Sequence, residues 1–179
     1  MVPSDIRKLP PDITIRSTLR PGDIGYLTYL HGTLYAAEYG WDHTFEAYVA
    51  GPLAEFGKSH NDRDRIWIVE QEGQVAGSIA IVEASRDEAQ LRWFLLHPLL
   101  RGQGIGRALM DSAISFCIEK HYSRVFLWTE SALKAAARLY EASGFRLTKQ
   151  ETHELWGAIV TEQRYELILV PDDMGESCT

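Results

Sequence analysis

Cysteine is scarce: the 179 residues contain two, Cys117 and Cys178. One falls inside an apolar helical pattern and the other in a polar stretch near the end, which excludes a disulfide framework and a cysteine-built metal centre. Long apolar runs are missing as well. No stretch approaches the roughly 20 residues that a bilayer span needs, and the opening MVPSDIRKLPPD lacks the apolar core of a secretory signal. The expectation is a cytoplasmic protein with no membrane partner. Basic charge is in deficit, with 18 Lys and Arg against 25 Asp and Glu and a formal net charge of −7. A nucleic-acid surface needs Lys and Arg clustered on one face, so no nucleic-acid partner is expected. Internal repeats and low-complexity segments are absent too.

What is present is the composition of an ordinary globular domain, 45% hydrophobic and 24% charged. A chain of this length fits one domain and buries a core without disulfides or metals. Residues 1–11, with three prolines, read as a lead-in, residues 12–170 as the domain, and residues 171–179 as an acidic flexible tail. Ile13–Leu19 alternates apolar and polar like a half-buried strand. Pro21-Gly22-Asp23 breaks it, with Asp23 placed to cap a helix that runs to about Tyr39 and stops at Gly40. A second helix covers roughly Thr44–Phe56, where Gly51-Pro52 is expected to kink or split it. Strands follow at Ile66–Gln71, Val75–Glu83 and Gln90–Leu96. Glu72-Gly73-Gln74 is the turn of a hairpin. Gly104–Lys120 is an amphipathic helix with Ile105, Ala108, Leu109, Ser112, Phe116 and Cys117 on one face. Val125–Thr129 is a strand, Ala132–Ser143 a helix, and Phe145–Glu151 and Arg164–Val170 two more strands. His153–Thr161 has no clear pattern. An antiparallel meander joined to a βαβ crossover gives the fold class α/β (α+β): a single domain with one mixed, mostly antiparallel sheet of about seven strands and helices on both faces.

The informative segment is Arg101-Gly102-Gln103-Gly104-Ile105-Gly106-Arg107, after a buried strand and at the start of a helix. Glycines there let successive backbone N–H groups approach an anion, and the helix dipole adds positive potential. Arg101 and Arg107 flank the loop with formal charge. The dinucleotide pattern G-x-G-x-x-G fails because Arg107 stands at the third glycine, and the Gly-Lys-Ser/Thr of a P-loop is absent.

The segment instead resembles the R/Q-x-x-G-x-G/A motif with which GNAT-superfamily N-acetyltransferases cradle the pyrophosphate of acetyl-CoA. A second stretch, Ala137 to Phe145 (ARLYEASGF), resembles the family's LYxxxGF segment. The N-terminal HGTLYAAEYGWD, followed by Phe45-Glu46-Ala47, is similar to acetyltransferase domains often fused to MarR-type regulators. This chain is too short to carry such a second domain. The resemblance covers most of Ile13–Leu169. It departs from the family where an asparagine seven residues before the helix tyrosine often contacts the pantetheine arm: that position is Leu133.

By this resemblance the co-substrate is acetyl-CoA, bound by Leu95, Leu96, Arg101, Gly102, Gln103, Gly104, Ile105, Gly106 and Arg107, with no metal. Backbone N–H groups of Leu95 and Leu96 would bind the cofactor beside a splay in the sheet, one of them facing the thioester oxygen. Tyr140 would be the general acid for the departing thiolate. The helix from Asp23 places His31, Tyr35 and Glu38 on one face; in the resembled fold this helix walls the acceptor site, which makes these three candidates for acceptor binding. Glu38 and Glu83 are candidate bases. The expected activity is transfer of an acetyl group to a primary amine of a small molecule, amino acid or protein, by direct attack in a ternary complex. The alternative is a non-catalytic acetyl-CoA-binding sensor or assembly module on the same fold. Relatives of this type often form homodimers.

Overall fold

The computed structural model describes residues 10–169. All but the last two residues of the expected lead-in, the expected tail, and Cys178 lie outside the described residues. The elements run β1 (Ile13–Arg16), α1 (Asp23–Tyr39), α2 (His43–Ser59), β2 (Arg65–Gln71), β3 (Gln74–Glu83), β4 (Glu88–Leu96), α3 (Ile105–Glu119), β5 (Arg124–Glu130), α4 (Lys134–Ala142), β6 (Arg146–Leu155) and β7 (Ala158–Ile168). The strands form one seven-stranded sheet in the order β1-β2-β3-β4-β5-β7-β6. Every neighbouring pair is antiparallel except β4 and β5, which are parallel. The architecture is the one the element order implies.

Two cores flank the sheet, and alternation along the strands feeds both. Trp67 and Val69 of β2, with Ile79 and Ile81 of β3, face α3 and its Ile105, Leu109, Ala113 and Phe116. Ile66, Ile68 and Ala80 point the other way, onto Leu27 of α1 and Phe45, Val49, Leu53 and Phe56 of α2. Cys117 is buried in the α3 core, and burial pushes its thiol up to about 12, as suits a packing residue.

Three local expectations are corrected. Asp23 does not cap α1: the N-cap is Gly22, and the Asp23 carboxylate instead takes hydrogen bonds from the Arg16 guanidinium at 2.6 and 2.8 Å and from the Arg20 amide. Arg16 also donates to Glu70 of β2 at 2.8 Å, so this network ties the start of α1 to the sheet. Pro52 does not split α2, which stays helical across it; Phe45, Val49, Leu53 and Phe56 form one continuous buried stripe that holds both halves in line. Finally, 153–161 is strand and turn. β6 and β7 form a long hairpin through a tight turn in which Trp156 and Gly157 both adopt left-handed φ, 54° and 74°.

The feature that shapes the site is in β4. Its register with β3 shifts between Ser78 and Ala80, and Trp93 sits at φ 46°, an uncommon conformation for a bulky residue. This is a β-bulge, and it switches the alternation: Leu91 belongs to the α3 core, Trp93 to the α1–α2 core. The buried Ser78 hydroxyl donates to the Trp93 carbonyl at 2.6 Å, satisfying a group the ladder leaves out. β4 pairs with β5 only from Glu88 to Gln90. Beyond that the strands part, and among the described residues the β5-facing edge of Leu91–Leu96 has no strand partner.

Replacing Ser78 with Ala leaves the Trp93 carbonyl buried and unpaired, and we expect a loss of about 1–3 kcal/mol in urea denaturation. An unchanged midpoint would show that the bulge does not need this bond.

Candidate active site

Two cavities open where β4 and β5 part. The larger, about 290 Å³, is bounded by the glycine loop, by Leu95 and Leu96 of β4, by Leu139 and Ala135 of α4, and by Glu38 and Tyr39 of α1. The smaller, about 130 Å³, lies between α1, α2 and the ends of β4, β5 and β7. Tyr35, Phe94, Leu133 and Ala136 line both, so they meet at one junction.

The loop has the form an anion cradle requires. Gly102 and Gly104 have φ 75° and 81°, and a Cβ placed on either would meet nothing within 4 Å, so open space lies over the turn that begins α3. Gly104 is the N-cap of α3 with no side chain capping it, which leaves the first amides of that helix for a ligand. Gln103 turns away and donates to the Leu99 carbonyl at 2.7 Å. Ile105 is fully buried in the α3 core, acting through its backbone position alone. Gly106 lines the cleft against Leu96, Phe94 and Leu139. Arg107 pairs with Asp111 at 3.0 Å one turn on and stays exposed at the cleft.

Arg101 is engaged more firmly. Its Nε donates to the Leu96 carbonyl at 3.0 Å, and its two terminal nitrogens form a bidentate pair with Glu38 at 2.8 and 2.9 Å. The structure therefore separates Glu38 from its sequence companions. His31 lines only the small cavity and Tyr35 lines both, whereas Glu38, one turn beyond Tyr35, lines only the large cleft and is held by an arginine. Glu83 is not brought to either cavity. It ends β3 opposite Ala89, at the closed end of β4, where Arg63 binds it at 2.7 Å and Asn61 at 3.1 Å.

Tyr140 is buried against the small cavity, beside Phe94 at 6.3 Å and Tyr165 at 5.9 Å between ring centroids. Burial raises its phenol well above the usual range, so the hydroxyl stays protonated and can donate. Leu133, where the family often has asparagine, is the N-cap of α4 and contributes only apolar surface to both cavities.

His31 is buried, and its Nδ1 lies 2.8 Å from the Leu27 carbonyl. A carbonyl only accepts, so Nδ1 carries the proton and Nε2 is left as an acceptor. Tyr35 stacks on this ring with an interplanar angle of 3°.

Of the small cavity's lining, sequence reasoning passed over Tyr48, Arg92, Glu130 and Glu162. Trp41, Phe45, Tyr48 and Trp156 form an aromatic wall, with Trp41 4.5 Å from Trp156 and 4.6 Å from Phe45. The turn of the β6–β7 hairpin delivers Trp156, and the Asp42 amide fixes it by donating to the Trp156 carbonyl at 2.9 Å. Three charged residues also line the cavity: Arg92, Glu130 and Glu162. The one visible signal was an arginine interrupting the apolar run Leu91–Leu96.

The comparisons with known proteins agree with this geometry. A family model described as "Acetyltransferase (GNAT) family" matches residues 31–145. The chain is 28% identical over 145 residues to N-acetyltransferase family 8 member 3 of Rattus norvegicus, covering 77% of this chain and 62% of that protein. It thus spans about 62% of the length of that curated relative. The fold matches yncA of Salmonella typhimurium, solved with its cofactor acetyl-CoA, at TM-score 0.72 and 19% identity over 93% of this chain and 99% of that one. It also matches spermidine N-acetyltransferase of Vibrio cholerae, solved with CoA and spermine, at TM-score 0.67 and 19% identity over 89% and 96%.

Burial lowers the His31 imidazole to about 4, against an ordinary value of 6.5. Above pH 6.5 neither the folded nor the unfolded chain binds a proton here, and His31 adds nothing to the pH dependence. Below it, the unfolded chain takes up a proton that the folded one does not, and stability falls until about pH 4. Comparing the pH dependence of unfolding in wild type and His31→Gln should show about 3 kcal/mol less acid destabilisation in the variant over that interval. Parallel curves would place a charged His31 in the fold.

Proposed function

Because this chain belongs to the acetyltransferase (GNAT) family, we propose that it transfers an acetyl group from acetyl-CoA to a primary amine by direct attack in a ternary complex. The observation that carries this reading is the junction of the two cavities. One has a glycine-lined loop with the form of an anion cradle, the other an aromatic wall and the Tyr140 ring, and they meet beside the unpaired edge of β4.

The cleft fits acetyl-CoA. Its diphosphate would lie on the amides of Gly104–Arg107, in the space a Cβ at Gly104 would enter. Glu38 then acts by holding Arg101 over the loop, which is the role its bidentate pair supports. Free amides of Leu95 or Leu96 would donate to the thioester oxygen as negative charge develops on it. The amine lone pair forms the new C–N bond, the C–S bond breaks with its electron pair going to sulfur, and Tyr140 gives its hydroxyl proton to the thiolate. A phenol raised by burial gives up its proton to the thiolate only where the site raises the thiolate's proton affinity at least as far, which burial of the sulfur beside Tyr140 would do.

The amine must also shed a proton. Glu130 has its oxygens occupied by Ser131 at 2.9 Å and by the amides of Ala132 and Thr161 at 2.6 and 3.3 Å. Among the described residues Glu162, its cross-strand partner, pairs with His153 alone, at 3.8 Å, and is the carboxylate left to receive it. Glu83 has no part in this scheme.

A thiol-release assay with acetyl-CoA and a panel of amines tests the proposal against the non-catalytic binding module. We expect turnover with at least one amine, and Tyr140→Phe should lower kcat by about 10²–10⁴-fold with acetyl-CoA affinity retained. Tight acetyl-CoA binding without release for any amine would favour the sensor. Near-normal kcat in the variant would reduce Tyr140 to a packing residue.

A further inference from the structure

Among the described half-buried arginines, Arg92 is the one that faces a cavity without a carboxylate partner. It lies on the bulged segment of β4, half-buried, with its guanidinium 5.0 Å from the Trp93 ring centroid and facing the small cavity. Half-buried arginines elsewhere hold carboxylates: Arg16 has Asp23, Arg63 has Glu83, Arg124 has Glu88 and Arg164 has Glu166. Arg65 does not, but it rests over the Phe116 ring, outside both cavities. Among the described residues no carboxylate comes within 4 Å of Arg92, although Glu130 and Glu162 line the same cavity. Burial disfavours its charged form, with only Tyr48 acting in the opposite sense. Partly burying a guanidinium without a partner is costly, and structures keep such groups paired.

The cavity is also bipolar. A cation stands on β4, and two carboxylates stand opposite each other where β5 pairs with β7, at Glu130 and Glu162. They do not close on each other, so a ligand can lie between them. A molecule that complements both ends in about 130 Å³ must carry an anion and an amine a short distance apart. The aromatic wall of Trp41, Phe45 and Trp156 adds an apolar surface beside them.

We propose that Arg92 anchors a carboxylate of the acceptor, and that the acceptor class is α-amino acids with apolar side chains. This rests on the transferase reading for the direction of the amine and deepens it by naming the substrate. The carboxylate takes a bidentate pair from Arg92. The amine is drawn toward Glu162 and the cavity junction, and the side chain packs on the aromatic wall. Arg92 sets specificity and takes no part in the chemistry.

The test compares L-phenylalanine with phenethylamine, which lacks only the carboxylate, in acetyl transfer by wild type, Arg92→Lys and Arg92→Gln. We expect kcat/KM to favour L-phenylalanine by about 10–100-fold in wild type. The preference should shrink in Arg92→Lys and vanish in Arg92→Gln, with the fold of each variant checked by circular dichroism. Turnover with no carboxylate preference, or with a preference that survives in Arg92→Gln, overturns the proposal and leaves the transferase reading standing. Calorimetry on the CoA-loaded protein gives a readout without turnover, using N-acetyl-L-phenylalanine against N-acetylphenethylamine. A preference there that is lost in Arg92→Gln, with no thiol release for any amine, would keep the anchor and sink the transfer reading. Equal binding of both probes to wild type overturns the anchor by itself.

Discussion

The bond from the Ser78 hydroxyl to the Trp93 carbonyl holds a strand in a shape it would not otherwise keep. A bulky residue at φ 46° costs on the order of 1–3 kcal/mol, and the surrounding sheet must over-determine it. What the strain supports is geometry. The bulge bends β4, and pairing with β5 ends at Gln90. The parted strands leave one backbone edge free inside a protein, where free edges are otherwise covered or paired. It also puts Arg92 and Trp93 together at the small cavity, because the side-chain alternation slips by one there. The free edge and the cavity junction both follow from that slip.

Charge is distributed around this opening in two separate sets. At the large cleft, Arg101 is neutralised by Glu38, and the pull on an anion comes from backbone amides and the start of α3. That arrangement suits an overall acidic chain, since the cradle needs few cations. At the small cavity, Arg92 and the Glu130–Glu162 pair face a common space without touching. The hairpin tip at Trp156 bounds this space on one side with aromatic surface.

Much of this was legible in the sequence because it depends on backbone chemistry. The glycine loop stands out because Gly102 and Gly104 take positive φ, a conformation glycine adopts far more readily than other residues. The end of α1 was equally readable from Gly40, whose amide closes on Ala36, whereas its start was read from Pro21-Gly22-Asp23 with the cap placed one residue late. Glu38 was harder to place. Helical periodicity puts it on the stripe of His31 and Tyr35, but seven residues are about 10 Å along the axis, enough to carry it from one cavity into the next. Glu83 failed for a similar reason: an antiparallel hairpin places the end of β3 beside the start of β4, away from the open end. The Trp156–Gly157 turn lacks the Asn-Gly or Asp-Gly signal, and β6 is polar on both faces, so no alternation marked the hairpin. Arg92 was hidden by its neighbours, since an apolar run says nothing about which of its members a bulge will redirect.

The account stands or falls on acetyl-CoA lying along the freed edge of β4 and the loop that follows. Amide hydrogen exchange, read peptide by peptide with and without saturating acetyl-CoA, tests this directly. The account predicts that protection rises in Leu95–Leu96 and in Gln103–Arg107 and stays unchanged in the outer strand Arg146–Leu155. Saturable binding with no added protection in either of those two segments would contradict it.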